Sequence, residues 1–272
     1  MEIKTFQLRE DNPDVRLVVY INAMFPTLSI QKRPMMLVIP GGGYHCCSER
    51  EAEPIARAYM AHGYNAAVLY YSLSKNAVNK NPLEDACRAM TILRRNAEEW
   101  NTDPDRIAAI GFSAGGHLTG WLGTMWHDEE ISQRVGLKYR EEARPNAIVL
   151  CYPVITSGEK AHKGSFYNIL GTQTPSEEQL ELYSLEKRVT DETPPAFLWH
   201  TASDTCVPVE NSLYMAAALS AHKIPFELHV FPNGPHGMGL ANDEVMAEAN
   251  PYVMRWHELS VKWLNKTFNN TL

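Results

Sequence analysis

Residues Gly111-Phe112-Ser113-Ala114-Gly115 constrain this chain more than any other segment. They have the form Gly-x-Ser-x-Gly. They join an apolar run, Arg106-Ile107-Ala108-Ala109-Ile110, to Gly116-His117-Leu118-Thr119-Gly120-Trp121-Leu122, which continues as a helix. A strand that turns directly into a helix brings the two elements together, so the flanking positions must be small. The serine at the apex then takes a strained backbone conformation and holds its hydroxyl above the sheet edge. The N–H of the next residue points to where an oxyanion would form. The segment therefore requires a sheet with helices packed on it, and it makes Ser113 a candidate nucleophile.

The rest of the chain supplies that architecture. Strand-like runs fall at residues 15–21, 35–39, 66–71, 107–111, 147–151, 196–201 and 226–231. Helical stretches fall between them at 51–62, 82–100, 114–125, 209–222 and 250–268. The second of these carries an apolar stripe at Leu83, Ala86, Met90, Leu93 and Ala97 and begins with a proline suited to a first helical turn. Alternation of this kind predicts a mostly parallel sheet with helices on both faces, with the reactive groups at the carboxyl ends of strands. Residues 153–193 break the alternation and contain a polar helix at 176–186. They read either as a small cap over the site or as a surface excursion. Without repeats or a linker, residues 1–272 read as one domain.

Composition narrows the function classes. The net charge is −7, and no basic stripe exists to neutralise phosphates, which argues against nucleic acid as a partner. No apolar run approaches the roughly 18 residues of a membrane span, and Met1–Phe6 does not begin a signal peptide, so a cytoplasmic location is expected. Five cysteines without CxxC spacing do not form a disulfide framework. Cys46-Cys47 lies beside a glycine-rich loop and reads as a buried or incidental thiol pair rather than a reactive one. A homo-oligomer is compatible with all of this.

A nucleophilic serine needs a base, an acid to orient the base, and oxyanion donors. His236, in Phe231-Pro232-Asn233-Gly234-Pro235-His236-Gly237, lies just past the last strand and is the candidate base. Asp204 follows the preceding strand and is the candidate acid. Asp191 precedes that strand and so belongs at the other end of the sheet. His200 and His117 read as structural or supporting histidines. His257 begins half of an HExxH pattern whose second histidine is missing, so no metal is expected there. The loop Pro40-Gly41-Gly42-Gly43-Tyr44 follows the strand at 35–39, and its glycines allow close backbone approach to a substrate oxygen. Gly42, then Gly41, are the candidate donors there, with the Ala114 N–H completing the pair.

Four motifs, Pro-Gly-Gly-Gly-Tyr at 40–44, Gly-Phe-Ser-Ala-Gly-Gly-His at 111–117, Asp-x-x-Val-Pro at 204–208 and Pro-His-Gly at 235–237, resemble the α/β-hydrolase esterases. Within them the chain is most similar to the acetyl-xylan-esterase-like, carbohydrate-esterase-like group. The resemblance runs from Met35 to the C-terminus. It departs from the hormone-sensitive-lipase branch at Pro40, where those relatives carry histidine. It implies an α/β-hydrolase fold with Ser113 as nucleophile, His236 as base and Asp204 as acid. It also implies an oxyanion hole from Gly41–Gly43 and Ala114, and neither metal nor organic cofactor. The implied function is a serine carboxylesterase acting on small acyl esters, O-acetyl sugars or imported acetylated oligosaccharides foremost. An amide hydrolase (arylformamidase or small peptidase) on the same machinery and a non-catalytic binding protein are the alternatives. Tyr44 beside the loop, with Phe166 and Tyr167 in the insertion, reads either as a pocket residue or as a packing residue.

Overall fold

The computed structural model describes residues 1–268; the last four residues of the expected 1–272 unit lie outside the described residues. Eight strands form one sheet: β1 (Glu2–Gln7), β2 (Arg16–Ile21), β3 (Arg33–Ile39), β4 (Asn65–Tyr70), β5 (Thr102–Phe112), β6 (Ala147–Cys151), β7 (Ala196–Thr201) and β8 (Phe226–Phe231). Their order is β1-β2-β4-β3-β5-β6-β7-β8. The pairs β1/β2 and β2/β4 are antiparallel, and all others are parallel. This is the α/β-hydrolase fold.

The middle strands β3 and β6 are buried at every residue, which is why, beyond Arg33 at the start of β3, they read as apolar runs. Strand periodicity divides their side chains between two layers. Met35, Leu37 and Ile39 join one core, with Leu83, Leu118 and Met215 from helices α2 (Asn81–Arg95), α3 (Ala114–Met125) and α7 (Glu210–Ala221). Met36 and Val38 join the other, with Tyr59 and Trp256 from α1 (Glu53–Ala61) and α8 (Pro251–Thr267). Pro82 does sit in the first turn of α2.

Strand β1 has no counterpart in the sequence reading. It is an edge strand with Ile3 exposed and polar residues interleaved, so no apolar signal marks it. β5 is also longer than its apolar stretch, because Thr102 pairs with Arg33 across a register shift before Met35 meets Ile107. Between α3 and β6 lies the short helix α4 (Glu129–Val135). Residues 153–193 form α5 (Lys163–Leu170) and α6 (Glu177–Leu182). The latter starts in a capping box between Ser176 and Gln179. Phe166 and Ile169 of α5 are buried in the α2/α3 layer, and the Asn168 amide donates to the Gly43 carbonyl at 2.8 Å. The insertion is thereby fastened to the glycine loop.

Candidate active site

The site is assembled from segments that follow the carboxyl ends of parallel strands: Gly41 after β3, Ser113 after β5, Tyr152 after β6, Asp204 after β7 and His236 after β8. Ser113 has φ 53° and ψ −118°, a conformation that costs an L-residue about 1–3 kcal/mol. Its surroundings hold it there. Its N–H donates to the Cys151 carbonyl at 3.0 Å, and its own carbonyl accepts from His117 and Val154, each at 3.0 Å. The small flanking residues are a steric necessity. A Cβ on Gly111 would collide with the Gly115 carbonyl, and one on Gly115 with the carbonyl oxygens of Ile39 and Pro40.

Ser113 Oγ lies 2.8 Å from His236 Nε2, and His236 Nδ1 lies 2.6 Å from Asp204 Oδ2. A carboxylate only accepts, so Nδ1 carries the proton and Nε2 is left to accept from the serine hydroxyl. Asp204 Oδ1 accepts the N–H groups of Cys206 and Val207, each at 2.9 Å. Burial works to raise the Asp204 carboxyl. The neighbouring His200 and His236, the charge on His236 and the Val207 N–H outweigh it and hold the group well below the usual carboxylate range. His200 is fully buried; its Nε2 donates to the Val207 carbonyl at 2.9 Å and its Nδ1 meets Ser212 Oγ at 2.8 Å. It supports the Asp204 turn. His117 lies behind the site between Tyr44 Oη (2.7 Å) and the Tyr183 carbonyl (2.9 Å), and burial lowers it to about 4.

The glycine loop divides its donors in a way that corrects one expectation. The Gly41 N–H donates to Glu51 Oε2 at 2.9 Å and is not available to a substrate. The N–H groups of Gly42 and Ala114 have no acceptor among the described residues. Gly42 has φ 125°, and a Cβ there would collide with the Cys46 carbonyl, so both backbone shape and space demand glycine.

These groups open onto a cleft of about 690 Å³. Its walls include Ser48, Glu49, Arg50 and Cys206, together with His162, which the insertion supplies. The expected pocket aromatics are elsewhere. Tyr44 and Phe166 are each 1% exposed and pack around His117, because the Tyr44 phenol is turned inward to that ring. Tyr167 faces a separate small cavity beneath α6. Of the adjacent thiols, Cys46 lies exposed at the cleft, whereas burial pushes Cys47 up to about 12. Glu51, Tyr152 and His162 escaped the sequence reading. Tyr152 directly follows a buried strand, the one positional signal that could have marked it.

The BD-FAE family profile matches residues 21–219. Endo-1,4-beta-xylanase B of Butyrivibrio fibrisolvens is 44% identical over 217 residues, which are 78% of this chain and 34% of that protein. The acetylxylan esterase of Xylanibacter ruminicola is 32% identical over 206 residues, 74% of this chain and 40% of that one. The chain thus spans well under half the length of these two relatives. Among solved structures, the acetyl ester-xyloside bifunctional hydrolase from Caldicellulosiruptor lactoaceticus superposes with a TM-score of 0.81 at 40% identity, covering 95% of this chain and 90% of that one.

Proposed function

We propose that this chain, which belongs to the BD-FAE family, is a serine esterase that removes short acyl groups, acetyl foremost, from sugar hydroxyls. The observation that carries the reading is the relay Ser113–His236–Asp204, at 2.8 and 2.6 Å, beside the N–H groups of Gly42 and Ala114, which have no acceptor among the described residues. His236 takes the Ser113 proton as Oγ attacks the ester carbonyl, and the N–H groups of Gly42 and Ala114 receive the developing oxyanion. His236 then protonates the leaving alcohol, and water repeats the sequence on the acyl-serine. Asp204 holds the imidazole in the required tautomer throughout.

The substrate class follows from the cleft. Among the described residues its lining offers glycines, cysteines, serines, charged groups and imidazoles, with no phenyl, phenol, indole or long aliphatic side chain. Such walls give an extended acyl chain nothing apolar to bury against, while hydroxyls of a sugar find donors and acceptors. The names of the acetylxylan esterase and acetyl ester-xyloside hydrolase relatives agree with this choice.

The test is a p-nitrophenyl ester series from acetate to octanoate, together with acetylated xylo-oligosaccharides. Ser113→Ala should lower kcat/KM by about 10⁴-fold or more with the fold retained. The parent should prefer acetate and release acetate from the oligosaccharides. Parental turnover in Ser113→Ala refutes the nucleophile, and a preference for octanoate refutes the substrate class.

A further inference from the structure

Glu51 is a carboxylate where the oxyanion loop has no side chain to hold it. It precedes α1, a position where an acidic residue is ordinarily solvated, yet it is only 3% exposed. Its two oxygens are each taken by an uncharged donor: Oε2 by the Gly41 N–H at 2.9 Å, and Oε1 by the Tyr152 hydroxyl at 2.7 Å. Burial raises its carboxyl, while Tyr152, Gly41 and the charges of His236 and Arg50 act against that rise.

Tyr152 continues the connection. Its hydroxyl accepts the Gly239 N–H at 2.8 Å while donating to Glu51. Its ring stands edge-on to His236 at 5.0 Å and to Trp199 at 4.9 Å. Its φ of 36° is strained for a tyrosine and is retained. An unbroken line of hydrogen bonds therefore runs from Gly239 through Tyr152 and Glu51 to Gly41. One end is the loop that carries His236, and the other is the loop that carries Gly42. Some other ties of the glycine loop stay within its own turn, where Ser48 donates to the Gly41 carbonyl and His45 and Cys46 to that of Gly42. The rest lead elsewhere in the fold, from Tyr71 to Pro40, from Asn168 to Gly43, from Ser74 to Tyr44 and from Tyr44 to His117; none of them reaches the loop that carries His236.

We propose that Glu51 and Tyr152 are positioning residues that set the oxyanion loop in register with His236. The inference rests on the esterase reading above. Donors aimed at a developing charge must be fixed relative to nucleophile and base before reaction. Bonds within the turn shape the three consecutive glycines locally but do not set them relative to the loop of His236. A carboxylate accepting from both sides supplies short, charge-assisted bonds. By occupying the Gly41 N–H, it also removes that group from the oxyanion donors and leaves the N–H groups of Gly42 and Gly43 facing the cleft side of the loop.

Tyr152→Phe deletes the hydroxyl and keeps the ring against His236. Glu51→Gln keeps the shape but replaces one acceptor oxygen with a donor. Both are assayed on p-nitrophenyl acetate, with active sites counted by a fluorophosphonate whose phosphoryl oxygen occupies the oxyanion position. The expected result is a loss of kcat per titrated site of about 10²-fold, with KM within about twofold of the parent. Phosphonylation should slow in parallel. A purely structural role would instead lower the titratable fraction and the melting temperature while leaving kcat per site intact, and that outcome overturns the proposal. Parental kcat per site in both variants does the same. If these variants are parental while Ser113→Ala is inactive, only this inference falls. If Ser113→Ala is itself active, the esterase reading falls.

Discussion

Replacing Asp204 with asparagine tests the relay most directly, because the surroundings dictate which way the new amide must face. Oδ1 of Asp204 receives two backbone N–H groups, from Cys206 and Val207, both at 2.9 Å. An amide nitrogen placed there would confront two donors, so the asparagine oxygen must keep that position. Its NH₂ group then occupies the site of Oδ2, 2.6 Å from His236 Nδ1. Facing a donor, Nδ1 becomes an acceptor and the imidazole proton moves to Nε2. That nitrogen can no longer take the proton of Ser113, which lies 2.8 Å away. In the serine-protease template the same wrong-tautomer change costs about 10⁴ in kcat, equivalent to about 5 kcal/mol of transition-state stabilisation. Asp204→Asn should therefore lose about 10⁴-fold in kcat on p-nitrophenyl acetate. The two isosteric acceptor bonds to the turn survive, so the urea midpoint should move little. Activity of Asp204→Asn within tenfold of the parent would show that the aspartate does not set the tautomer, and the relay reasoning would fail.

Two further outcomes follow from burial and sterics. Burial lowers His117 and His257 to about 4, from 6.5. Between those values the unfolded chain binds more protons, so stability is full above pH 6.5 and declines as the pH falls toward 4, by at most about 3 kcal/mol for His117. Asp204 adds little above pH 4.5, because the stabilising effect of its depressed carboxyl is lost as the pH falls through the unfolded value of 3.8 and below. Denaturant titrations at pH 7 and pH 4.5 should show the decline, and His117→Gln should flatten it; an unchanged slope in the variant contradicts the assignment. Gly115→Ala drives a Cβ into the carbonyl oxygens of Ile39 and Pro40. Backbone cannot yield as a side chain does, so a loss of at least about 3 kcal/mol is expected, and a parental urea midpoint would refute the steric account.

Much of this was legible because local chemistry and global fold agree. The run ahead of Ser113 is apolar because β5 has neighbours on both edges and helices on both faces. The glycines around Ser113 are there because strand and helix touch. Boundaries of β6, β7, β8 and α3 coincide with those read from the sequence. Strand β1 was illegible because an exposed edge needs no apolar pattern. Tyr44 and Phe166 are ambiguous in sequence for a related reason. An aromatic beside a glycine loop has the same sequence signature whether it faces a ligand or the core, and the inward hydrogen bond to His117 decides.

The sequence alone determined the class of sheet, the strand ends at which chemistry could occur, and the residue types able to perform it. Those properties depend on periodicity, turn sterics and chain order, which are local or nearly so. Tertiary structure decided that the Gly41 N–H is closed to a substrate, because the Glu51 carboxylate occupies it. It also decided that the insertion places His162 in the cleft wall and that Tyr152 joins the two loops. Such pairings depend on how loops fold onto one another, across ten residues for Gly41 and Glu51 and across about a hundred for Tyr152 and Glu51, and no sequence period encodes them.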